Sequence, residues 1–300
     1  MTLLELVQNM CLEAGISSPT QVVTSQDVQI NQIYALVNRL GNDLVRTFEW
    51  QKLDKEYTFQ TVSTTLTGTT TSGSKIITGI SSTTGLTSNY GIVGSGISPF
   101  AQIVSVDSST QVTMNLPATA TGTTSLVFGQ VNYPLPSDWS KQIPQTEWDR
   151  SNRWPLMGPN SPQDWQSFKS GIVYSGPRLR FRIQGNTLAL NPPPSANLTL
   201  AFEYISNSWV LAADGVTYKN KFTVDTDTFI FDSSLLTIGL KLRWLQAKGF
   251  EYDFAQREFD GLLNMCKGQD KSAPRLSLSP INQSVLITNN NIPDGSWGVS

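Results

Sequence analysis

The block from Gln60 to Gln130 constrains the fold most, because it is rich in Thr, Ser and Gly and almost free of charge. Only Lys75 and Asp107 are charged within it. Short runs of β-branched and aliphatic residues recur there, separated by glycines, which is typical of short strands joined by turns. This aliphatic content argues against disorder. The block therefore predicts an all-β domain, a barrel or a sandwich, inserted into a loop of the remaining chain.

Apolar residues recur at helical spacing on both sides of this block. A capping box of Thr2 and Glu5 marks the start of the first helix, and glycines fit the ends of the first and third helices. The four predicted helices are bounded by Thr2 and Gly15, by Ser25 and Phe48, by Asp232 and Gly249, and by Tyr252 and Met265. The first two are expected to lie antiparallel, since a short loop joins them.

These patterns predict an α+β fold. An antiparallel four-helix core and a small antiparallel sheet are expected from residues 1–59 and 131–266, with strands at Leu179 to Ile183, Thr187 to Leu190 and Leu198 to Ile205. Residues 60–130 form the inserted β domain. Residues 267–300 show no periodicity and predict an extended C-terminal arm.

The sequence contains no histidine, and this excludes several kinds of chemistry. Ser-His-Asp and Cys-His nucleophile systems and histidine-bearing zinc sites cannot form. Two cysteines, Cys11 and Cys266, are too few for a thiolate-rich metal site, and both are expected to be buried thiols. We expect no cofactor, no metal, no membrane span and no signal peptide. A net charge of −2 indicates no general attraction to nucleic acid.

Two patterns could carry chemistry, and both favour a structural interpretation. The sequence from Gly68 to Lys75 partly matches the motif of a phosphate-binding loop. However, Ser74 separates the second glycine from the lysine, and no helix pattern follows. Carboxylates could serve a glycosidase, which needs two of them flanking a cleft. The candidates are Glu147, Asp149, Glu251, Asp253 and Glu258. Solvated or interface-paired acids are the favoured interpretation, so no catalytic residue is assigned.

Alternating arginines and a set of tryptophans are candidate interaction residues. Arg178, Arg180 and Arg182 share one face of a predicted strand, where they could meet DNA phosphates or form ion pairs within or between subunits. Core packing is the default for most tryptophans. Trp148, Trp154 and Trp297 are the predicted interface anchors, because Trp is enriched at interfaces.

Four stretches of the sequence resemble the head-to-tail adaptor proteins of tailed bacteriophages, the group that includes tail tubular protein A. They are Leu3 to Ile16; the helix ending in Phe48-Glu49-Trp50; Tyr133 to Asp138 with Thr146 to Leu156; and Phe202 to Ser206 with Asp225 to Phe229 and Leu236 to Gly249. The insertion separately resembles small β modules of phage structural proteins, through Gly96 to Pro99, Ile103 to Val106 and Leu116 to Gly122.

The resemblance implies a non-enzymatic virion protein at the head–tail junction. Such adaptors form a ring, typically of twelve copies, beneath the portal protein, extend the DNA channel and dock the tail. The implied partners are the portal, neighbouring subunits, tail or nozzle proteins and, transiently, genomic DNA. Two alternatives stay open: a distal nozzle or tail-completion protein, and a cell-wall hydrolase that uses a carboxylate pair.

Overall fold

The computed structural model describes residues 1–169 and 178–270 of the chain. Within these residues the helices are α1 (Leu3–Glu13), α2 (Val28–Thr47), α3 (Pro162–Lys169), α4 (Ser233–Lys248) and α5 (Asp253–Asp270), with a 3₁₀ turn at Gln51–Leu53. The strands are β1 (Asp54–Gln60), β2 (Ser63–Thr70), β3 (Ile76–Thr78), β4 (Tyr90–Val93), β5 (Ile103–Ser108), β6 (Gln111–Met114), β7 (Gly122–Gln130), β8 (Asn132–Pro134), β9 (Trp139–Gln142), β10 (Trp148–Asp149), β11 (Trp154–Pro155), β12 (Arg180–Gln184), β13 (Thr187–Asn191), β14 (Thr199–Ser206), β15 (Val210–Leu211), β16 (Tyr218–Lys219) and β17 (Thr228–Phe229).

The helix ends follow the local signals in the sequence. The Thr2 hydroxyl accepts a hydrogen bond from the Glu5 N–H at 3.3 Å, and the Thr2 N–H donates to the Glu5 carboxylate at 2.9 Å, so the predicted capping box is confirmed. Gly15 follows α1 with φ of +68°, where a side chain would be strained. Asp27, rather than Ser25, caps α2, and Asp232 caps α4 as predicted. Both carboxylates satisfy N–H groups of the first turn that have no partner within the helix.

The chain forms two compact units, each of which is described by itself. The first contains Met1–Lys55, Ser137–Ile143 and the described residues from Glu203 onward; the second contains Glu56–Pro136 and the described residues of Pro144–Phe202. Residues 60–130 therefore share a unit with residues 144–202, which the sequence analysis grouped with the helices. The predicted division into a core and an inserted domain stays a prediction.

Four helices of the first unit pack around one apolar core. α4 is their common partner, since it packs against α1, α2 and α5. The core also buries Trp209, Phe222 and Phe231, which follow β14 in the chain. The mixed helix and sheet composition confirms the coarse α+β prediction, whereas the antiparallel four-helix arrangement stays a prediction. α5 continues past Lys267 to Asp270, and the rest of the predicted arm, with Trp297, lies outside the described residues.

A buried ion pair joins Lys219 to Asp227 in this unit. The ammonium lies 2.8 Å from the carboxylate, whose side chain is 1% exposed. Burial opposes ionisation of Asp227, but the hydrogen bonds from Lys219 and from the backbone N–H groups of Thr223 and Val224 outweigh it, so the pKa of Asp227 lies below its ordinary value. This network fixes the loop that precedes β17.

The second unit contains the predicted β domain as a six-stranded antiparallel sheet. Its strand order is β4-β7-β2-β3-β6-β5, around an apolar core that includes Ile77, Val112 and Phe128. The barrel alternative is wrong for the described residues. The edge strands β4 and β5 do not pair with each other as a ladder. A single bridge joins Gly91 of β4 to Gln102, the residue before β5. Residues 94–101 between the two strands form a loop that makes its own turns, so the sheet stays open.

The strands predicted after residue 178 enter two different sheets. β12, β13 and β8 form a three-stranded sheet in that order, and the turn at Gly185-Asn186 joins β12 to β13 as predicted. β14 belongs instead to the sheet ordered β1-β14-β10-β11, in which β9 also pairs with β14. A third small sheet contains β16, β15 and β17. Sequence alternation predicted these strands correctly, but it carries no information on which strands pair.

Candidate functional site

The three-stranded sheet of β12, β13 and β8 presents the arginine row. Arg180 and Arg182 lie within β12 and Arg178 lies two residues before it, all three half-buried. Phe181, between two of the arginines, is fully buried. The alternation of β12 therefore separates charged from apolar side chains, because successive side chains of a strand point to opposite faces.

The neighbours of the arginines are aromatic and amide groups. The Arg180 guanidinium carbon lies 4.1 Å from the centre of the Phe168 ring of α3, a cation–π contact. Across the ladder Arg180 is opposite Asn191, and Arg182 is opposite Ala189. Among the described residues no carboxylate forms an ion pair with Arg178, Arg180 or Arg182. The arginine row is therefore a cationic surface whose charge the described part of its own chain does not neutralise.

A small cleft, here called the amide cleft, adjoins this row. Its volume is ≈ 210 Å³, and its lining includes Gln102, Trp165, Lys169, Asn191 and Pro193. Asn191 is 3% exposed, and its side-chain Nδ2 is buried and has no hydrogen-bond partner among the described residues. A buried donor without a partner costs free energy. Trp139 Nε1, Asn160 Oδ1 and Trp244 Nε1 are buried in the same way, so this condition is not peculiar to the cleft.

A shallower polar cleft of ≈ 540 Å³ lies on the same sheet. Asn89, Asn132, Gln184, Thr187 and Ala189 contribute to its lining. Asn132 and Ala189 are opposite each other in the β8–β13 ladder, and both also line the amide cleft. The face of this sheet is thus a continuous polar surface with the arginines on one strand and amides on the others.

Two of the three predicted tryptophan anchors lie in one hairpin. Trp148 of β10 is opposite Pro155, and Trp154 of β11 is opposite Asp149. Both indoles are half-buried, so each leaves ring surface for a further contact. Their role as interface anchors stays a prediction, and Trp297 lies outside the described residues.

The carboxylates considered for catalysis fall into two groups. Glu147 and Asp149 are 3% and 1% exposed. Burial raises the pKa of Glu147, although backbone N–H groups of residues 145–147 donate to its carboxylate and oppose that rise. Asp149 accepts from the N–H groups of Ser151 and Asn152 and shapes a turn. Both carboxylates thus stabilise local backbone. Glu251, Asp253 and Glu258 are exposed in or just before α5.

The segment from Gly68 to Lys75, whose sequence partly matches a phosphate-binding loop, contains a hairpin turn. Residues 71–75 connect β2 to β3, and the Ser74 N–H donates to the Thr71 carbonyl at 2.9 Å. Gly73 takes φ of +79° within the turn. A phosphate-binding loop must lead into a helix, and here a strand follows, so the structural interpretation is confirmed.

Sequence reasoning missed three exposed aromatic residues at the junction of α4 and α5. Phe250, Tyr252 and Phe254 are 54%, 42% and 80% exposed. The available signal was their alternation with Glu251 and Asp253 directly after Gly249, the residue that ends α4. We call residues 250–254 the aromatic corner.

The described residues were also compared with the requirements of a disulfide, a metal site and a membrane-spanning helix. Cys11 is buried and Cys266 is half-buried; neither forms a disulfide, and burial raises the pKa of both. In the part of the chain that the structure describes, no group of three or more His, Cys, Asp or Glu side chains could hold a metal ion. No helix there combines the length and the apolar character needed to cross a membrane.

Comparison with protein families shows to which family the chain belongs. The family model described as SU10 adaptor protein matches residues 101–278, more than half of the chain. The chain belongs to the SU10 adaptor protein family. The matched range contains the arginine row, the tryptophan hairpin, α4 and α5. A comparison with curated proteins finds no match. Family membership confirms the phage adaptor type that the resemblance implied, whereas the tail tubular protein A group stays a prediction.

Proposed function

We propose that this protein is a structural head-to-tail adaptor that assembles as a ring, of about twelve copies, beneath the portal and docks the tail. The observation that carries the proposal is the adaptor family match over residues 101–278. The two units support it physically: a helical core buried around α4 supplies a rigid wall. The open six-stranded sheet adds a second rigid element with its own apolar core.

The arginine row gives the proposed ring a functional surface. Its cations have no carboxylate partner among the described residues, so they are available to DNA phosphates in the channel or to acids of a neighbouring subunit. The half-buried Trp148 and Trp154 are the proposed anchors for a subunit, portal or tail contact. In this proposal the protein is not an enzyme and resides in the virion at the head–tail junction.

The experiment that tests the proposal mixes the protein with portal rings from the same genome. Sedimentation should show co-migration, and electron microscopy should show a ring added beneath the portal, from which the copy number is read directly. A folded protein that leaves intact portal rings unbound would contradict the adaptor position and favour a distal nozzle or tail-completion protein.

A separate assay addresses the enzymatic alternative. The turbidity of a peptidoglycan suspension should stay constant on addition of the protein. A fall in turbidity that Glu147→Gln abolishes, with folding intact, would contradict the non-enzymatic proposal. Glu258→Gln is tested beside it, because Glu258 is the second candidate carboxylate and is exposed in α5; activity that neither substitution changes would exclude both acids.

A further inference from the structure

The sheet of β12, β13 and β8 has two faces of opposite character. Residues that are opposite each other in a ladder point to the same side of the sheet. The ladders therefore place on one side the polar residues Arg180, Arg182, Gln184, Thr187, Asn191 and Asn132. The other side carries Phe181, Leu188 and Leu190, which are all buried. We call the polar side, with the small apolar residues Ala189 and Pro134, the arginine face.

The arginine face contains no carboxylate, and the chain supplies it with none that the structure describes. Of the 23 acidic residues of the chain, all but Asp294 lie within the described ranges. None of these forms an ion pair with the arginine row. Residues 170–177, which precede the row in sequence, contain no acid either. The face is therefore a surface that would stabilise an anion of another molecule.

The second unit also differs in charge from the chain as a whole. Within its described residues, seven Lys and Arg side chains outnumber five Asp and Glu side chains. Four of the seven cations are the arginine row and Lys169, and Lys169 lines the amide cleft together with Gln184 of the arginine face. The net charge of −2 thus does not describe this surface, and electrostatic binding of an anion depends on the local cluster of cations.

The cations of β12 are partly ordered before any partner binds. Arg180 and Arg182 are half-buried, and the Arg180 guanidinium carbon lies 4.1 Å from the centre of the Phe168 ring. A guanidinium that stacks on an aromatic ring can still direct N–H groups from its edge to a phosphate. Side chains that are already held lose less conformational entropy on binding, so this arrangement favours affinity.

We propose that the arginine face binds the phosphate backbone of duplex DNA without reading its sequence. In this contact the arginine row and Lys169 pair with phosphates. Asn132, Gln184 and Thr187 donate hydrogen bonds to phosphate or sugar oxygens. Arg, Lys, Asn, Gln and Thr are among the residue types that contact the backbone in protein–DNA complexes. The contact rests on the proposed adaptor role and deepens it, because it names DNA, rather than a neighbouring subunit, as the partner of the row.

The composition of the face favours DNA over a protein partner. The centre of a protein–protein interface is apolar and rich in aromatic residues. None of the exposed large apolar side chains among the described residues lies on the arginine face, whose apolar members are Ala189 and Pro134. Protein–DNA interfaces are more polar and much more positively charged than protein–protein interfaces. The arginine face matches the first kind of interface and lacks the apolar centre of the second.

The same composition favours the duplex backbone over single-stranded DNA. Proteins that bind single strands stack the bases on aromatic side chains. Tyr133 and Trp165, the aromatic residues of β8 and of the amide cleft, are 5% and 6% exposed, and Arg180 stacks on the Phe168 ring. Bases therefore have no exposed aromatic ring on this face. We expect neither a preference for single strands nor a preference for any sequence.

The test measures the affinity of the full-length protein for a fluorescein-labelled duplex of mixed sequence by fluorescence anisotropy. Each phosphate contact contributes about −0.9 to the slope of log affinity against log salt concentration, so four contacts predict a slope of about −3.6. The affinity should therefore fall about 100-fold between about 50 and 200 mM salt. A duplex of unrelated sequence should bind equally well, and a single strand of the same length should bind no more tightly.

Substitutions on the face should change this slope in a graded way. Arg182→Gln should reduce its magnitude by about 0.9, whereas Arg182→Lys keeps the charge and should keep the slope. Gln184→Glu leaves every cation in place and adds a carboxylate at an exposed position of the same size. It should weaken binding about 3-fold, the repulsion of two unit charges ~6 Å apart in water. Arg153→Gln and Lys75→Gln remove exposed cations elsewhere in the second unit and are the matched controls, with the slope of wild type.

The possible results separate this contact from the adaptor role. The duplex is offered at about 50 mM salt both to the free protein and to any portal-bound ring, and failure of both to bind it refutes the contact while portal binding still stands. An Arg182→Gln slope equal to that of wild type also refutes it. If Arg178→Gln with Arg180→Gln and Arg182→Gln abolishes self-association without DNA, the row pairs with a neighbouring subunit instead. DNA binding with the expected slope but no portal binding would support the arginine face and overturn the adaptor position.

Discussion

Gly41 lies where α2 packs directly against the Trp209 indole, so substituting it tests the packing of the first unit. A Cβ atom at this position of α2 would lie 2.0 Å from Cζ2 and 2.2 Å from Cη2 of Trp209. Carbon atoms pack best at about 3.5–4.0 Å, so the indole or the helix would have to move by roughly 1.5 Å. We therefore expect Gly41→Ala to destabilise the protein.

The surroundings of Trp209 leave little room for such a movement. The ring is fully buried, and its Nε1 donates to Asn42 Oδ1 and to the Asn220 carbonyl, both at 3.1 Å. It also meets Phe222 edge-on with ring centres 5.0 Å apart. Overpacking a core costs about 1–3 kcal/mol, and the upper end applies here because hydrogen bonds and rings both oppose the shift. The better helix propensity of Ala stabilises α2 by about 1 kcal/mol. The expected net loss in the free energy of unfolding is therefore about 2 kcal/mol.

The matched control is Gly261→Ala in α5. It makes the same substitution inside a helix, but its added Cβ would meet no atom within 4 Å. We expect a gain of up to about 1 kcal/mol, from helix propensity alone. Urea unfolding followed by far-UV circular dichroism measures both midpoints. Shifts of opposite sign are expected, and a Gly41→Ala midpoint at or above that of wild type would refute the packing argument.

Three further predictions test the ion pair, the unpartnered amide and the insertion. Asp227→Asn should destabilise the first unit by about 3–5 kcal/mol at pH 7, because it leaves Lys219 without its partner. Because the folded pKa of Asp227 is lowered, the carboxylate stabilises the fold above its unfolded pKa of about 3.9 and loses this effect as the pH falls through the folded value. The gap in urea midpoint between wild type and variant should therefore narrow towards pH 3, and a constant gap would contradict the assignment. Asn191→Leu should raise the free energy of unfolding by about 1–3 kcal/mol, because it removes a buried donor that has no partner among the described residues; an unchanged or lower free energy of unfolding would count against it. Deletion of residues 60–130 should preserve the far-UV helical signal, because the Ser63–Gly129 pairing brings the ends of the insertion together, and loss of that signal would exclude this.

The sequence predicted the elements whose determinants are local. The capping box at Thr2, the cap at Asp232 and the alternation around Phe181 each depend on residues within a few positions of one another, and each was confirmed. The sequence predicts the start of α2 two residues early, because Ser25 and Asp27 are both good caps and the choice between them depends on how the chain arrives from α1.

The amide cleft could not be predicted, because its lining comes from distant parts of the chain. Gln102 precedes β5, Trp165 lies in α3 and Asn191 ends β13. Their meeting depends on which strands pair, and alternation alone says only that a strand exists. The same limit explains why β14 was grouped with β12 and β13 in the sequence analysis, although the structure pairs it with β10 and β9.

The aromatic corner and the amide cleft each contain a group that lowers the stability of the chain. Phe254 exposes an apolar ring to water, and Asn191 Nδ2 is a buried donor that has no acceptor in the part of the chain that the structure describes. Each feature costs stability, whereas the Trp209 indole and the Asp227 carboxylate have hydrogen-bond partners. Three other buried polar atoms, Trp139 Nε1, Asn160 Oδ1 and Trp244 Nε1, also have no partner among the described residues. Departures from local consistency are expected where function requires them. A partner that covers the Phe254 ring in the proposed assembly would remove the cost of its exposure, whereas the Asn191 donor is too deeply buried for a docked partner to reach.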